Sequence, residues 1–264
     1  MRRLGCCMPG GSFMPEGEGA TASAYSRLRL GYDTIMNAGY DYAEATVGLL
    51  MELEPAELDR LVSEGVVIEV ANSFIPPSLP IVSTPVEKLD AYVDEAMRRL
   101  VRLGGRLIIF GSGKARSLGG DPKNIKYLEN FLALCSRLGE KHGVTVALEP
   151  LNARETDFMN YVSEGYELMK RLGLPNIALL ADAFHMYCGN EPISNLSACA
   201  DAIVHIHVSE PDRTYPGASG GEYLRAFAAG LDEAGYAARV TAECSFNDFA
   251  AECTKAYEFM KVTF

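Results

Sequence analysis

With 264 residues, 48% hydrophobic and 22% charged, the chain has the material for one large buried core and lacks the polar bias that keeps a chain unfolded. Its net charge of −11 argues against a nucleic-acid partner, which is gripped through clustered Lys and Arg. Arg2 and Arg3 precede an apolar stretch too short and too broken by glycine for a secretory or membrane segment, and the seven scattered cysteines include no CxxC pair, so reduced thiols, a cytoplasmic location and no membrane association are expected.

In chain order the residues alternate strand with helix. A first strand is expected over residues 3–8, then a loop of Pro9, Gly10, Gly11, Pro15, Gly17 and Gly19, which cannot be regular structure. A helix over 23–36, a strand over 42–47 with Glu44 among apolar neighbours, a short helix over 54–63 and a strand over 66–70 follow. The apolar loop 74–82, with Pro76, Pro77 and Pro80, reads as an interface or a lid. Thr84, Pro85 and Glu87 spell a Thr-x-x-Glu capping box, and Leu89, Val93, Met97 and Leu100 give the next helix an apolar stripe that Gly104 and Gly105 end. A strand over 106–110 enters the glycine turn Gly111, Ser112, Gly113. Ile125, Leu128, Leu132, Cys135 and Leu138 then mark a helix that stops before Gly143. Beyond it, strands are expected at 144–149, 177–182, 203–208 and 239–243, and helices at 162–172, 193–200, 223–234 and 249–260.

Eight strands alternating with eight helices force a parallel sheet, and eight units in a chain near ~250 residues favour closure into a (β/α)8 TIM barrel of one domain spanning residues 1–264. Active sites in such barrels sit at the carboxyl ends of the strands. There the sequence is unusual. The buried run VTVALEPLN ends on Glu149, ALLAD on Asp182, AIVHIH on His207 and VTAE on Glu243, each about one strand–helix unit from the next. Three carboxylates and an imidazole at matched strand ends form an oxygen-rich ligand set that suits Mn²⁺ or Mg²⁺, with Co²⁺ and Zn²⁺ left open. His205 and His207 are two apart on one strand and so share a face. Glu155, His185 and Arg213 lie in loops beyond the same strand ends, where polar groups can hold a hydroxyl-rich ligand.

These motifs, EPLN with Glu149, ADAFHM with Asp182 and His185, HIHVSEPDR with His207 and Arg213, and AECSF with Glu243, resemble the ketose 3-epimerases of the xylose-isomerase-like barrel superfamily, the tagatose and psicose (allulose) epimerases. The resemblance covers residues 144–246, while the first half agrees in rhythm and in FGSG at 110–113. It implies that Glu149, Asp182, His207 and Glu243 bind one divalent ion, usually manganese, cobalt or magnesium, and that Glu149 and Glu243 are also the acid/base pair on opposite sides of the sugar. It further implies that Glu155, His185 and Arg213 contact the sugar near its keto end. One glutamate removes the C3 proton, the other returns a proton to the opposite face, and no redox cofactor takes part.

Two departures bear on the substrate. The chain has no Trp and its LGCCM opening lacks the aromatic-rich first strand of those epimerases. GSGKARS at 111–117 could bind a phosphate through backbone N–H groups, with Lys114 or Arg116 adding charge, so a sugar phosphate stays open beside a free sugar. Four histidines are too few for the three-zinc site of endonuclease IV. The alternatives within the superfamily are a hydroxypyruvate isomerase-like aldose–ketose isomerase, an inosose dehydratase-like lyase and a non-catalytic sugar-binding barrel. Pairing into a homo-oligomer is a further expectation.

Overall fold

The structure, a computed structural model, describes residues 2–9 and 22–264, so most of the glycine- and proline-bearing loop expected after the first strand lies outside it. The described elements are β1 (Arg3–Cys7), α1 (Ala24–Ala38), β2 (Tyr42–Thr46), α2 (Val47–Glu52), α3 (Pro55–Ser63), β3 (Ile68–Asn72), α4 (Val86–Arg102), β4 (Leu107–Phe110), α5 (Ile125–His142), β5 (Thr145–Leu148), α6 (Val162–Leu172), β6 (Ile177–Asp182), α7 (Ala183–Cys188), α8 (Asn195–Ala198), β7 (Ile203–Val208), α9 (Glu222–Glu233), β8 (Arg239–Ala242) and α10 (Phe249–Thr263). The eight strands pair in parallel in sequence order and close into a barrel. Closure is made by β1 on β8, from Arg3 opposite Arg239 to Cys6 opposite Ala242.

The two-residue alternation of each strand sorts its side chains between two interiors. On β2, Ala43 and Ala45 join the large core between sheet and helices, while Tyr42 packs inside the barrel with Val70, Leu107, Ile109, Ala147 and Leu180. On β7 the outward set is Ile206 and Val208, and His205 and His207, both 0% exposed, take the inward positions. The outer core receives one stripe from each long helix. Leu89, Val93, Met97 and Leu100 of α4 are buried as their spacing predicts, and α5 ends where Gly143 turns left-handed at φ 67°.

Several expected boundaries differ. The capping box at Thr84 is not formed: Pro85 is the cap residue, no side chain caps the helix, and the Thr84 N–H donates to the Pro80 carbonyl at 2.9 Å in a preceding turn. β3 runs two residues later than expected because the Val66 N–H is used by the Leu61 carbonyl at the end of α3, and Ser73, at φ 50°, ends the strand instead. Ten α-helices are described where eight were expected, since α2 and α7, six residues each, are too short to show a period. The helix expected over 193–200 shrinks to the four residues of α8. Segment 74–82 buries Phe74, Ile75, Leu79 and Ile81 in the core, and its Ile75, Pro76 and Pro77 line the cavity at the carboxyl ends of the strands. Among the described residues no helix is long and apolar enough to cross a membrane.

Inside the barrel the clearances are small. A Cβ on Gly5 would lie 2.2 Å from Cε2 of Tyr42, whose ring is itself buried. Gly5→Ala is expected to destabilise the protein by about 1–3 kcal/mol through overpacking, read as a lower urea midpoint at unchanged slope; an unchanged midpoint would show that the ring has room to move.

Candidate metal centre and active-site cavity

Glu149, Asp182, His207 and Glu243 come together at the carboxyl ends of the strands, and each offers a ligand atom lying within 4.8 Å of the others. Asp182 is the last residue of β6, His207 the fifth of β7, and Glu149 and Glu243 follow directly on β5 and β8. Adjacent parallel strands bring Asp182 and His207 into register. The Nδ1 of His207 stands 3.3 Å from Glu149 Oε1 and 3.3 Å from Glu243 Oε2. Glu149, Asp182 and His207 are buried, whereas the Glu243 side chain keeps 22% of its surface exposed. The group opens into a cavity of about 590 Å³ lined by Glu149, Glu243, His185, Glu155 and Arg213, together with Ser73, Ser112, Lys114 and Arg154.

Neighbouring groups hold each of these side chains. Asp182 Oδ1 accepts from the Phe184 N–H at 2.9 Å, capping α7, and that short helix carries His185 over the site. The Asn152 backbone N–H donates to His185 Nδ1 at 3.2 Å, so Nδ1 is an acceptor and the ring proton sits on Nε2, which lies 3.6 Å from Asp182 Oδ2. Asn152 also donates through Nδ2 to Glu155 Oε1 at 2.8 Å. Arg213, held at φ 65°, donates to Asp182 Oδ2 at 2.7 Å and to Glu243 Oε2, and its guanidinium lies 4.6 Å from the centre of the Phe184 ring. Gly111 leaves room for Glu149: a Cβ there would fall 2.2 Å from Glu149 Oε2.

The charges separate the two glutamates. Burial, followed by the charge of Glu243, raises the carboxyl of Glu149 above the usual range. Burial would also raise Glu243, but His207 and Arg213 outweigh it and hold that carboxyl well below the usual range. His207 is pushed upward against burial by Glu243 and Glu44. Arg213 therefore already places a positive charge among these carboxylates. The donor set is also the hard oxygen and imidazole chemistry that divalent cations take, so the residues fit a metal ion.

The residues that the sequence reading passed over are those supporting the ligands. Glu44, 0% exposed, places Oε1 3.0 Å from His207 Nε2 and Oε2 3.1 Å from His205 Nε2, and burial notwithstanding, the two histidines lower its carboxyl to about 2. Asn72 donates through Nδ2 to Cys7 Sγ at 3.2 Å and to Glu243 Oε1 at 3.4 Å. An acid alternating with Tyr42 and Thr46 along a buried strand was the available signal for Glu44. The expectation that Arg116 could add charge for a phosphate fails. Arg116 is 0% exposed beneath the glycine turn and donates to the carbonyls of Phe110 at 3.0 Å, Glu149 at 2.7 Å and Met159 at 3.4 Å. Burial lowers it to about 10, and it is spent on the backbone around Glu149. Arg116→Leu is expected to cost at least about 2 kcal/mol in denaturant unfolding by removing the buried donor that ties those three carbonyls together, against less than about 0.5 kcal/mol for exposed Lys114→Ala. Equal effects would contradict the assigned role.

The family model described as "Xylose isomerase-like TIM barrel" matches residues 29–261. Among characterised proteins, an L-ribulose 3-epimerase from Methylomonas sp. (strain DH-1) is 26% identical over 227 residues, covering 81% of this chain and 76% of that protein. A second L-ribulose 3-epimerase, from Mesorhizobium japonicum, is 26% identical over 88% of this chain and 79% of its own length. The crystal structure of a D-allulose 3-epimerase from Methylomonas sp. in complex with D-allulose superposes with a TM-score of 0.83 at 22% identity, covering 100% of this chain and 97% of that one. A 3-keto-D-glucoside 4-epimerase from E. coli superposes with a TM-score of 0.79 at 18% identity, covering 99% and 100%. At these identities the structural likeness establishes the fold.

Proposed function

The chain belongs to the xylose isomerase-like TIM barrel family, and from that premise we propose that it is a divalent-metal-dependent ketose 3-epimerase acting on a sugar or sugar phosphate. One observation carries the reading: two glutamates whose environments push their protonation apart belong to one four-residue cluster, each 3.3 Å from His207 Nδ1, and both line the same cavity. The curated relatives named as L-ribulose 3-epimerases support it.

In this reading Glu149, Asp182, His207 and Glu243 hold one ion, Mn²⁺ best matching the donor set. When bound, the ion supplies Lewis-acid stabilisation of negative charge on nearby substrate oxygens. The chain's own groups do the proton work. The glutamate in carboxylate form takes the proton from C3, the electron pair moves onto the keto oxygen as an enediolate, and the protonated glutamate returns a proton to C3 from the opposite side, inverting that centre. Glu155, His185 and Arg213 orient the sugar from the cavity wall, with His185 offering its Nε2–H. A cytoplasmic location and pairing into homo-oligomers belong to the same proposal, the first supported by seven cysteines that are all free.

A phosphorylated substrate is the favoured second reading on one observation. Lys114 and Arg154 line the cavity from adjacent loops, both exposed, and neither side chain has an ion-pair partner among the described residues.

In D₂O, the Mn²⁺-loaded protein is expected to place deuterium at C3 of D-fructose, D-tagatose or L-ribulose and to yield the 3-epimer. Label confined to C1 or C2 moves the assignment to an aldose–ketose isomerase, and loss of a β-hydroxyl moves it to a lyase. Chelation should abolish exchange and added Mn²⁺ restore it. Glu243→Gln should lose at least about 10²-fold in exchange, the range for one general acid–base, while still binding the sugar; full activity in that variant would sink the two-glutamate scheme. If the phosphate reading holds, Lys114→Ala and Arg154→Ala should raise KM for the 6-phosphates and leave KM for the free ketoses unchanged.

A further inference from the structure

Behind the four-ligand cluster, toward the middle of the barrel, lies a second layer of polar groups with no exposure to solvent. Glu44, His205, His207 and Thr241 are each 0% exposed, and Tyr42 is 2% exposed. An acid buried this deeply is costly unless every lone pair that matters is engaged. Here both carboxylate oxygens are engaged, each by a different imidazole: Oε1 by His207 Nε2 at 3.0 Å and Oε2 by His205 Nε2 at 3.1 Å. The hydrogen bonds continue deeper into the barrel, with Thr241 Oγ1 3.0 Å from His205 Nε2 and 2.7 Å from the Tyr42 hydroxyl.

Hydrogen-bond accounting makes this layer directional. A carboxylate only accepts, so the nitrogen each imidazole turns toward Glu44 must carry a proton. For His207 that leaves Nδ1 as the atom facing Glu149 and Glu243, 3.3 Å from each. A histidine that ligates a metal does so through an unprotonated nitrogen, and the partner of its other nitrogen fixes tautomer and ring orientation. We propose that Glu44 is the positioning residue of this centre: it holds His207 in the Nε2–H tautomer with Nδ1 aimed at the ion, and His205 clamps the second carboxylate oxygen so that Glu44 cannot turn away. The inference rests on the preceding reading that the four residues bind a divalent ion.

A glutamine of the same shape offers one acceptor and one donor, so it can satisfy only one of the two Nε2–H groups. The other histidine must then move its proton to Nδ1, and for His205 that nitrogen has no partner among the described residues. Glu44→Gln thus removes the directing chemistry with little change in volume.

The test is Mn²⁺ binding, followed by titration calorimetry and by the electron paramagnetic signal of the free ion, on wild type and Glu44→Gln. The variant is expected to keep its far-UV spectrum and to bind Mn²⁺ 10- to 100-fold more weakly, the range seen when supporting partners of a ligating histidine are lost. Its melting temperature should rise less than wild type's when Mn²⁺ is added, whereas a residue that merely packs would lower metal-free and loaded melting temperatures by the same amount. Folded Glu44→Gln that binds Mn²⁺ within twofold of wild type overturns the proposal and leaves the four-ligand reading standing. Wild type that binds no divalent ion overturns both. Should the variant not fold, wild type alone decides: in Mg²⁺-loaded protein labelled with ¹⁵N at histidine, the ring that shifts on loading must carry its proton on Nε2, and a proton on Nδ1 refutes the assignment.

Discussion

Three carboxylates and an imidazole cannot be gathered within 4.8 Å of one another at the mouth of a buried barrel without a compensating charge. Water, which would screen them on the surface, is largely excluded, and like charges repel strongly at low effective dielectric. Much of the site's construction answers this constraint. Arg213 takes a backbone conformation unusual for a side chain of its size and reaches two of the carboxylates at once. His207 leans between Glu149 and Glu243 while its far nitrogen is secured by Glu44. Arg116, buried entirely, gathers the carbonyls around Glu149 and fixes the backbone from which that carboxylate extends. Glu44 and Arg116, which look least functional by sequence, thus hold His207 and the backbone of Glu149 in place.

The barrel's geometry supplies the rest. Strands that all point one way end at one rim, and the alternation of side chains sends every second residue inward. Glu44, His205 and His207 therefore share one interior although 161 residues separate the first two in sequence. That interior is narrow, and glycine is used where a side chain would not fit. Gly5 yields space to the Tyr42 ring, and Gly111 to the Glu149 carboxylate. The glycines of FGSG, read from sequence as a turn or a phosphate cradle, serve in part to let the Glu149 carboxylate approach the backbone of the neighbouring strand.

Charge is graded along the cavity. Its floor is acidic and holds the candidate ligands Glu149 and Glu243, its wall offers His185 and Glu155, and exposed Lys114 and Arg154 complete the lining. Such a gradient favours a polar ligand lying along the cavity over one of uniform charge. The wall residues are themselves held, since Asn152 bonds both His185 and Glu155.

The sequence by itself determined the eight-unit rhythm, the parallel barrel that the rhythm requires, and the four strand-end side chains that converge, because each of these is written locally: in apolar runs, in helical stripes and in acids that end strands. It also located the wall residues Glu155, His185 and Arg213, three to six positions beyond those strand ends. What it missed depends on contacts between distant segments. The capping box at Thr84 failed because a turn from Pro80 claimed its backbone, and the short helices α2 and α7 carry no period to read. Arg116 looked like an anion binder because its motif is glycine-rich and basic, yet its burial beneath the turn is decided by packing against β5 and its loop. Glu44 was visible only as an acid in an apolar strand. That it meets both histidines follows from barrel closure, which brings the inward faces of β2 and β7 together across the interior, and no local pattern encodes that approach.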